Sequence, residues 1–140
     1  MILYLDSSNL SKLYLEEEGS PEVRQSVSEA SEKASSLIAY AELRAAISRA
    51  LRMGRVEPSR AQEARREFEA HWLDLVVLDV DESIVRAAGD AADRYALRGF
   101  DAVHLASAIH LRNSSGEPVV FSTADSKLGA AAQAEGLAVA

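Results

Sequence analysis

A chain of 140 residues, 48% hydrophobic and 26% charged, suits one packed domain and excludes a disordered or fibrous class. It holds no cysteine, which rules out disulfides and thiolate metal sites and points to a reducing, cytoplasmic setting. The net charge of −7 argues against broad duplex binding through Lys/Arg–phosphate contacts, although carboxylates can still meet phosphate through bound divalent cations.

The opening Met1-Ile2-Leu3-Tyr4-Leu5-Asp6 reads as a strand rather than as a secretory signal, because it lacks a basic start and a small-residue cleavage site. No apolar run reaches the roughly 20 residues that span a bilayer, so no membrane association is expected. A helix is expected through Leu10, Leu13 and Tyr14, and another from Ser20-Pro21-Glu22, where a capping hydroxyl, a proline and an early acid come in sequence. A short strand near Ala34–Ser36 leads to a long helix from about Ile38 to Met53, closed by Gly54. Pro58 begins a further helix that runs to about His71.

Leu73–Val80 places Leu75, Val76, Val77 and Leu78 in succession, the pattern of a strand buried on both faces. Asp81 is placed to cap the next helix, which reaches roughly Tyr95. The nearly all-apolar segment Asp101–Leu111 is expected to be a central helix, followed by a loop at Asn113–Pro118 and a strand at Val119–Ser122. A helix over Ser126–Glu135, ended by Gly136, and a last strand at Leu137–Ala140 complete the chain. Strand and helix alternate without a linker, so residues 1–140 are expected to form a single α/β domain. Its sheet is mainly parallel, of about five strands, and flanked by helices. Ligands of such sheets bind beyond the carboxyl ends of the strands, at a topological switch point.

Four acids stand where that rule points. Asp6 and Asp125 each follow a strand, and Asp101 opens the apolar helix; for all three, helix capping is the plain alternative. Glu42 differs, because its helical neighbours Ile38, Ala39, Ala45 and Ala46 cannot pair with a charge. A carboxylate on such a wall costs free energy unless an ion or a donor from elsewhere meets it; a solvated helix edge is the alternative. Brought together, four acids would repel and show raised, coupled pKa values until a cation entered, and hard divalent cations prefer such oxygen ligands. Arg44, Arg49, Arg52 and Arg55 share the helix of Glu42; Lys12 and Arg98 lie near the acidic segments. A solvated, salt-bridged face explains most of these cations, and Arg86 with Asp90 reads as one surface pair. His104 reads as packed or hydrogen-bonded, and Trp72 and the tyrosines as packing residues.

The segments around these acids also resemble a known family. Leu5-Asp6-Ser7-Ser8, Tyr40-Ala41-Glu42-Leu43, Leu97-Arg98-Gly99-Phe100-Asp101-Ala102-Val103-His104-Leu105-Ala106 and Ser122-Thr123-Ala124-Asp125-Ser126-Lys127-Leu128 look like a PIN domain, more narrowly a VapC-type toxin. The similarity spans essentially the whole chain, and the Asp101 and Asp125 segments carry it most specifically. The resemblance implies that Asp6, Glu42, Asp101 and Asp125 are catalytic and metal-binding, with Mg²⁺ or Mn²⁺ as cofactor. Thr123 falls where many members carry a hydroxyl near the site. It further implies hydrolysis of RNA, a homodimer, and a VapB-type antitoxin that blocks the site. Asn9 departs from the small apolar residue common after the opening motif, but touches no acidic position.

Two other functions fit an α/β sheet with these acids. A small phosphatase would use Asp6 as nucleophile, although Asp6-Ser7-Ser8 lacks the second aspartate two residues on. A metal-stabilised interaction module would bind a partner protein without chemistry.

Overall fold

In the computed structural model, which describes residues 1–140, β1 (Ile2–Leu5) is followed by a one-turn helix, α1 (Ser7–Leu10), and a 3₁₀ turn at Ser11–Leu13. The expected continuous helix is therefore broken at Ser11, whose hydroxyl donates back to the Ser8 carbonyl at 3.0 Å and competes with helical bonding. Helix α2 (Ser20–Glu29) differs from the expectation at its start. The residue before its first turn is Gly19 at φ +89°, a region glycine adopts freely, and Ser20 is already helical. The Ser20 hydroxyl accepts from Glu17 N at 2.9 Å, tying down the preceding turn rather than capping the helix.

β2 (Glu32–Ser36), α3 (Ala39–Arg52), α4 (Pro58–Trp72), β3 (Val76–Leu78) and α5 (Glu82–Tyr95) follow in order. Pro58 is the first residue of α4, and Asp81 caps α5 by accepting from Ile84 N at 2.9 Å, both as the sequence indicates. Arg86 pairs with Glu82 at 3.0 Å rather than with Asp90; an acid four residues before its cation is the better helical orientation. α6 (Gly99–Ser115), β4 (Val119–Ser122), α7 (Ser126–Ala134) and β5 (Ala138–Val139) complete the chain. α6 extends three residues into the expected loop, with the Ser114 hydroxyl donating to the His110 carbonyl at 2.8 Å. No helix is long and apolar enough to cross a membrane.

The five strands are all parallel, in the order β3-β2-β1-β4-β5. β1 lies at the centre and alternates its side chains between two cores. Ile2 and Tyr4 join the helices α5, α6 and α7 on one face; Leu3 and Leu5 join α1 to α4 on the other. The aromatic residues of that second face pack on each other: Phe68 touches Tyr14, Tyr40 and Trp72 at centroid separations of 5.4–5.5 Å. β3, expected to be buried on both faces, is an edge strand of three half-buried residues. Its apolar run serves the rims of both cores, Val76 and Leu78 on one side and Leu75 on the other.

This order puts a switch point at β1. From it the chain builds outward through β2 and β3, then returns to lay β4 against the other side, with Leu5 opposite Ser122. A crevice therefore opens between the carboxyl ends of β1 and β4.

Candidate active site

Asp6 and Asp125 stand at that crevice, one residue after β1 and three after β4. Asp6 is only 3% exposed and is fixed by three donors. Its Oδ1 accepts from Asn9 N at 3.0 Å and Ser8 Oγ at 2.6 Å, while Thr123 Oγ1 donates to Oδ2 at 2.6 Å. Asp125 caps α7 with one oxygen, Oδ1, which accepts from Lys127 N at 2.9 Å and Leu128 N at 3.0 Å. Thr123 links the two acids, because its hydroxyl also accepts from Asp125 N at 3.0 Å. Asn9, the residue that departs from the apolar pattern, is buried and ties the strand ends together through Ser122 Oγ at 2.9 Å.

Glu42 and Asp101 arrive from opposite faces of the sheet, each in the first turn of its helix, α3 and α6. Asp101 does not cap α6. The residue before the helix is Arg98, and Asp101 is the third helical residue, so its carboxylate is released from local bonding. All four acids thus sit at the N-terminal ends of helices. Backbone N–H groups and the helix dipoles favour negative charge there, by about 0.3–1 kcal/mol each at exposed positions.

Together they line one open cleft of about 530 Å³, with Ser7, Ser8, Arg98, Gly99 and Phe100 completing its lining. The Asp101 carboxyl is pushed up from its ordinary range, first by burial and then by the charges of Asp125 and Asp6. No hydrogen bond contributes to that shift. Glu42 is met by donors from two distant segments. Ser7 Oγ donates to Oε2 at 3.1 Å, and His104 Nε2 lies 2.7 Å from Oε1. His104 is fully buried and its Nδ1 lies 2.9 Å from the Tyr4 hydroxyl, which burial holds well above the usual phenol range. The chain of bonds closes when Tyr4 donates to Nδ1 and Nε2–H donates to the carboxylate.

A family model described as PIN domain matches residues 3–134. The chain belongs to the PIN-domain family. A curated relative named ribonuclease VapC45, from Mycobacterium tuberculosis, is 34% identical over 99% of this chain and 94% of its own length. Among solved structures, a toxin–antitoxin complex from Klebsiella pneumoniae is similar with a TM-score of 0.65 and 19% identity, covering 91% of this chain and 90% of that one. VapBC-1 from nontypeable Haemophilus influenzae gives 0.66 and 20%, covering 100% and 97%. At these identities the solved structures establish the fold.

The donor set of this PIN domain fits a hard divalent cation. It consists of oxygen alone, Asp101 is free of protein donors, and Asp125 commits one oxygen to its helix. No three of these side chains close directly around one point.

Sequence reading singled out the four acids and Thr123 and read His104 as packed or hydrogen-bonded, as it is; it did not foresee that Glu42 is the partner of His104, or that Ser7 and Ser8 hold Glu42 and Asp6. Ser8 and Ser7 carried the weak signal of adjacency to Asp6. His104 carried a better one: it follows Asp101 by three residues on an apolar helix, and so shares its face.

Proposed function

We propose that this PIN domain is a divalent-cation-dependent endoribonuclease, the toxin of a toxin–antitoxin pair. The observation that carries the reading is one cleft lined by acids from four separate segments, at the sheet's switch point. The curated relative named as a ribonuclease and the family's general dependence on divalent metals support it. The solved toxin–antitoxin relatives support a small antitoxin as partner.

Asp6 and Asp101 are the principal ligands in this reading, the first rigid through its three donors, the second free to reach an ion. When bound, Mg²⁺ or Mn²⁺ supplies positive charge at the scissile phosphate and a water activated near neutral pH. Glu42, steadied by His104 and Ser7, positions that water, and the uncommitted oxygen of Asp125 completes the shell. Arg98 in the cleft lining offsets part of the acids' charge, which favours an anionic substrate. The chain needs no covalent nucleophile: water forms the new bond to phosphorus and a ribose oxygen departs with a proton.

Asp101→Asn is the cleanest test, because it removes a charge without stranding a donor. Wild-type protein with Mg²⁺ or Mn²⁺ should cut single-stranded RNA, and the variant, or the wild type with chelator, should not. Intact RNA in every arm, across transfer, ribosomal and messenger substrates, would refute the proposal.

A further inference from the structure

The acid cleft does not end at Glu42. A second depression of about 460 Å³ adjoins it, shares Ser7, Ser8 and Glu42, and runs along α3 to Arg49 and Arg52. Glu42, Ala45, Arg49 and Arg52 follow the three- and four-residue spacing of a single helix face. The two alanines at positions 45 and 46 leave its floor low. Arg49 and Arg52 are exposed and neither forms an ion pair, whereas Arg44 one turn away is bound to Glu69 at 3.3 Å. Arg52 is steadied only by Ser48 Oγ, 3.0 Å away. In a chain of net charge −7, two free guanidinium groups at the end of a groove leading from an acidic cleft are placed for anions.

We infer that Arg49 and Arg52 form a phosphate subsite that holds the RNA backbone beyond the bond being cut. This rests on the ribonuclease reading of the adjoining cleft and adds the direction in which the strand leaves it. At 1.5 Å per residue, Arg49 and Arg52 stand about 10 and 15 Å along the helix axis from Glu42, at the distance of a neighbouring phosphate rather than the scissile one. The groove carries no aromatic side chain on which a base could stack: its lining is serine hydroxyls, alanine methyls and the two arginines, beside Glu42. The subsite is therefore expected to raise affinity for any single strand without selecting its sequence. The same lining offers no large apolar anchor, which makes a protein segment the poorer fit.

The test measures binding and cleavage separately. Binding is followed by fluorescence anisotropy of a labelled single-stranded oligoribonucleotide against salt, on an Asp101→Asn background. Adding Arg49→Ala and Arg52→Ala should lower the slope of log affinity against log salt by about 1.4, the value for two lost phosphate contacts on a single strand. In the active protein the same pair should raise KM about tenfold with kcat little changed, the scale of one lost charge-assisted contact or more. Arg49→Lys with Arg52→Lys should restore most of the affinity, and Ala45→Glu, which adds an anion to the groove, should reproduce the loss. An unchanged salt slope and KM in the alanine pair would overturn the subsite. So would a variant that cleaves and binds RNA normally but has lost binding of a co-expressed antitoxin, since the groove would then serve a protein. Wild-type protein that binds the strand through these arginines yet never cuts it would defeat the ribonuclease reading alone.

Discussion

His104 Nε2 lies 2.7 Å from Glu42 Oε1, a hydrogen bond that joins the helix behind one face of the sheet to the helix behind the other. With the Tyr4 hydroxyl on Nδ1, the imidazole braces the cleft from beneath. His104→Ala should cost about 2–4 kcal/mol, since it opens a buried cavity and strands two polar partners. Cleavage by the folded variant should fall about 10- to 100-fold, the usual effect of removing a group that orients a ligand. Urea denaturation and single-turnover rates check the two parts. A destabilised variant with an undiminished rate would leave His104 a packing residue only.

Thr123 serves Asp6 and Asp125 with one hydroxyl. Thr123→Val keeps the shape and removes both bonds, at a cost of about 1–2 kcal/mol. Metal affinity, read by titration calorimetry, should weaken about tenfold or more, and Thr123→Ser should retain it. Equal affinity in the valine variant would mean that Ser8 and Asn9 suffice to fix Asp6.

Asp101 gives stability a pH dependence with a definite sign. Burial and the neighbouring charges of Asp125 and Asp6 raise its pKa, so the native state holds the proton more tightly than the unfolded chain does. The stability contributed by the protonated form is full below the unfolded pKa and is lost as pH rises through the native one. In chelator, Asp101→Asn should therefore melt at a higher temperature than wild type at neutral pH. The difference should shrink on acidification, and adding Mg²⁺ should reduce it at neutral pH by stabilising only the wild type. A melting difference constant from acid to neutral pH would contradict the shift.

Ala96 ends α5 at φ +54°, ψ +46°, the sole non-glycine residue of positive φ. A side chain in that region carries a steric cost of roughly 1 kcal/mol that glycine avoids. Ala96→Gly should therefore stabilise the protein, by up to about 1 kcal/mol after the entropy of a freer unfolded chain is counted. Thermal melting decides it, and cleavage should not change.

Much of this molecule is written in local chemistry. The apolar run Ile2–Leu5, the proline at 58, the Asp81 cap and the glycines at 54 and 136 each act within a few residues, so the sequence alone located the elements they bound. The acids Asp6, Asp101 and Asp125 could be picked out because each lies at a strand end or helix start. Where local signals competed, sequence misled: Ser20 reads as a cap, but its hydroxyl is taken by Glu17 N while Gly19 makes the turn. The run at 75–78 reads as a fully buried strand, but burial depends on having sheet on both sides, and β3 has a neighbour on only one. Most of all, one partner of Glu42 lies 62 residues away, at His104, and one of Asp6 lies 117 residues away, at Thr123. Contacts over such separations leave no periodicity in the chain. They exist because strand order sets β4 against β1 and packs α3 and α6 over the same end of the sheet, which is a decision of the tertiary fold.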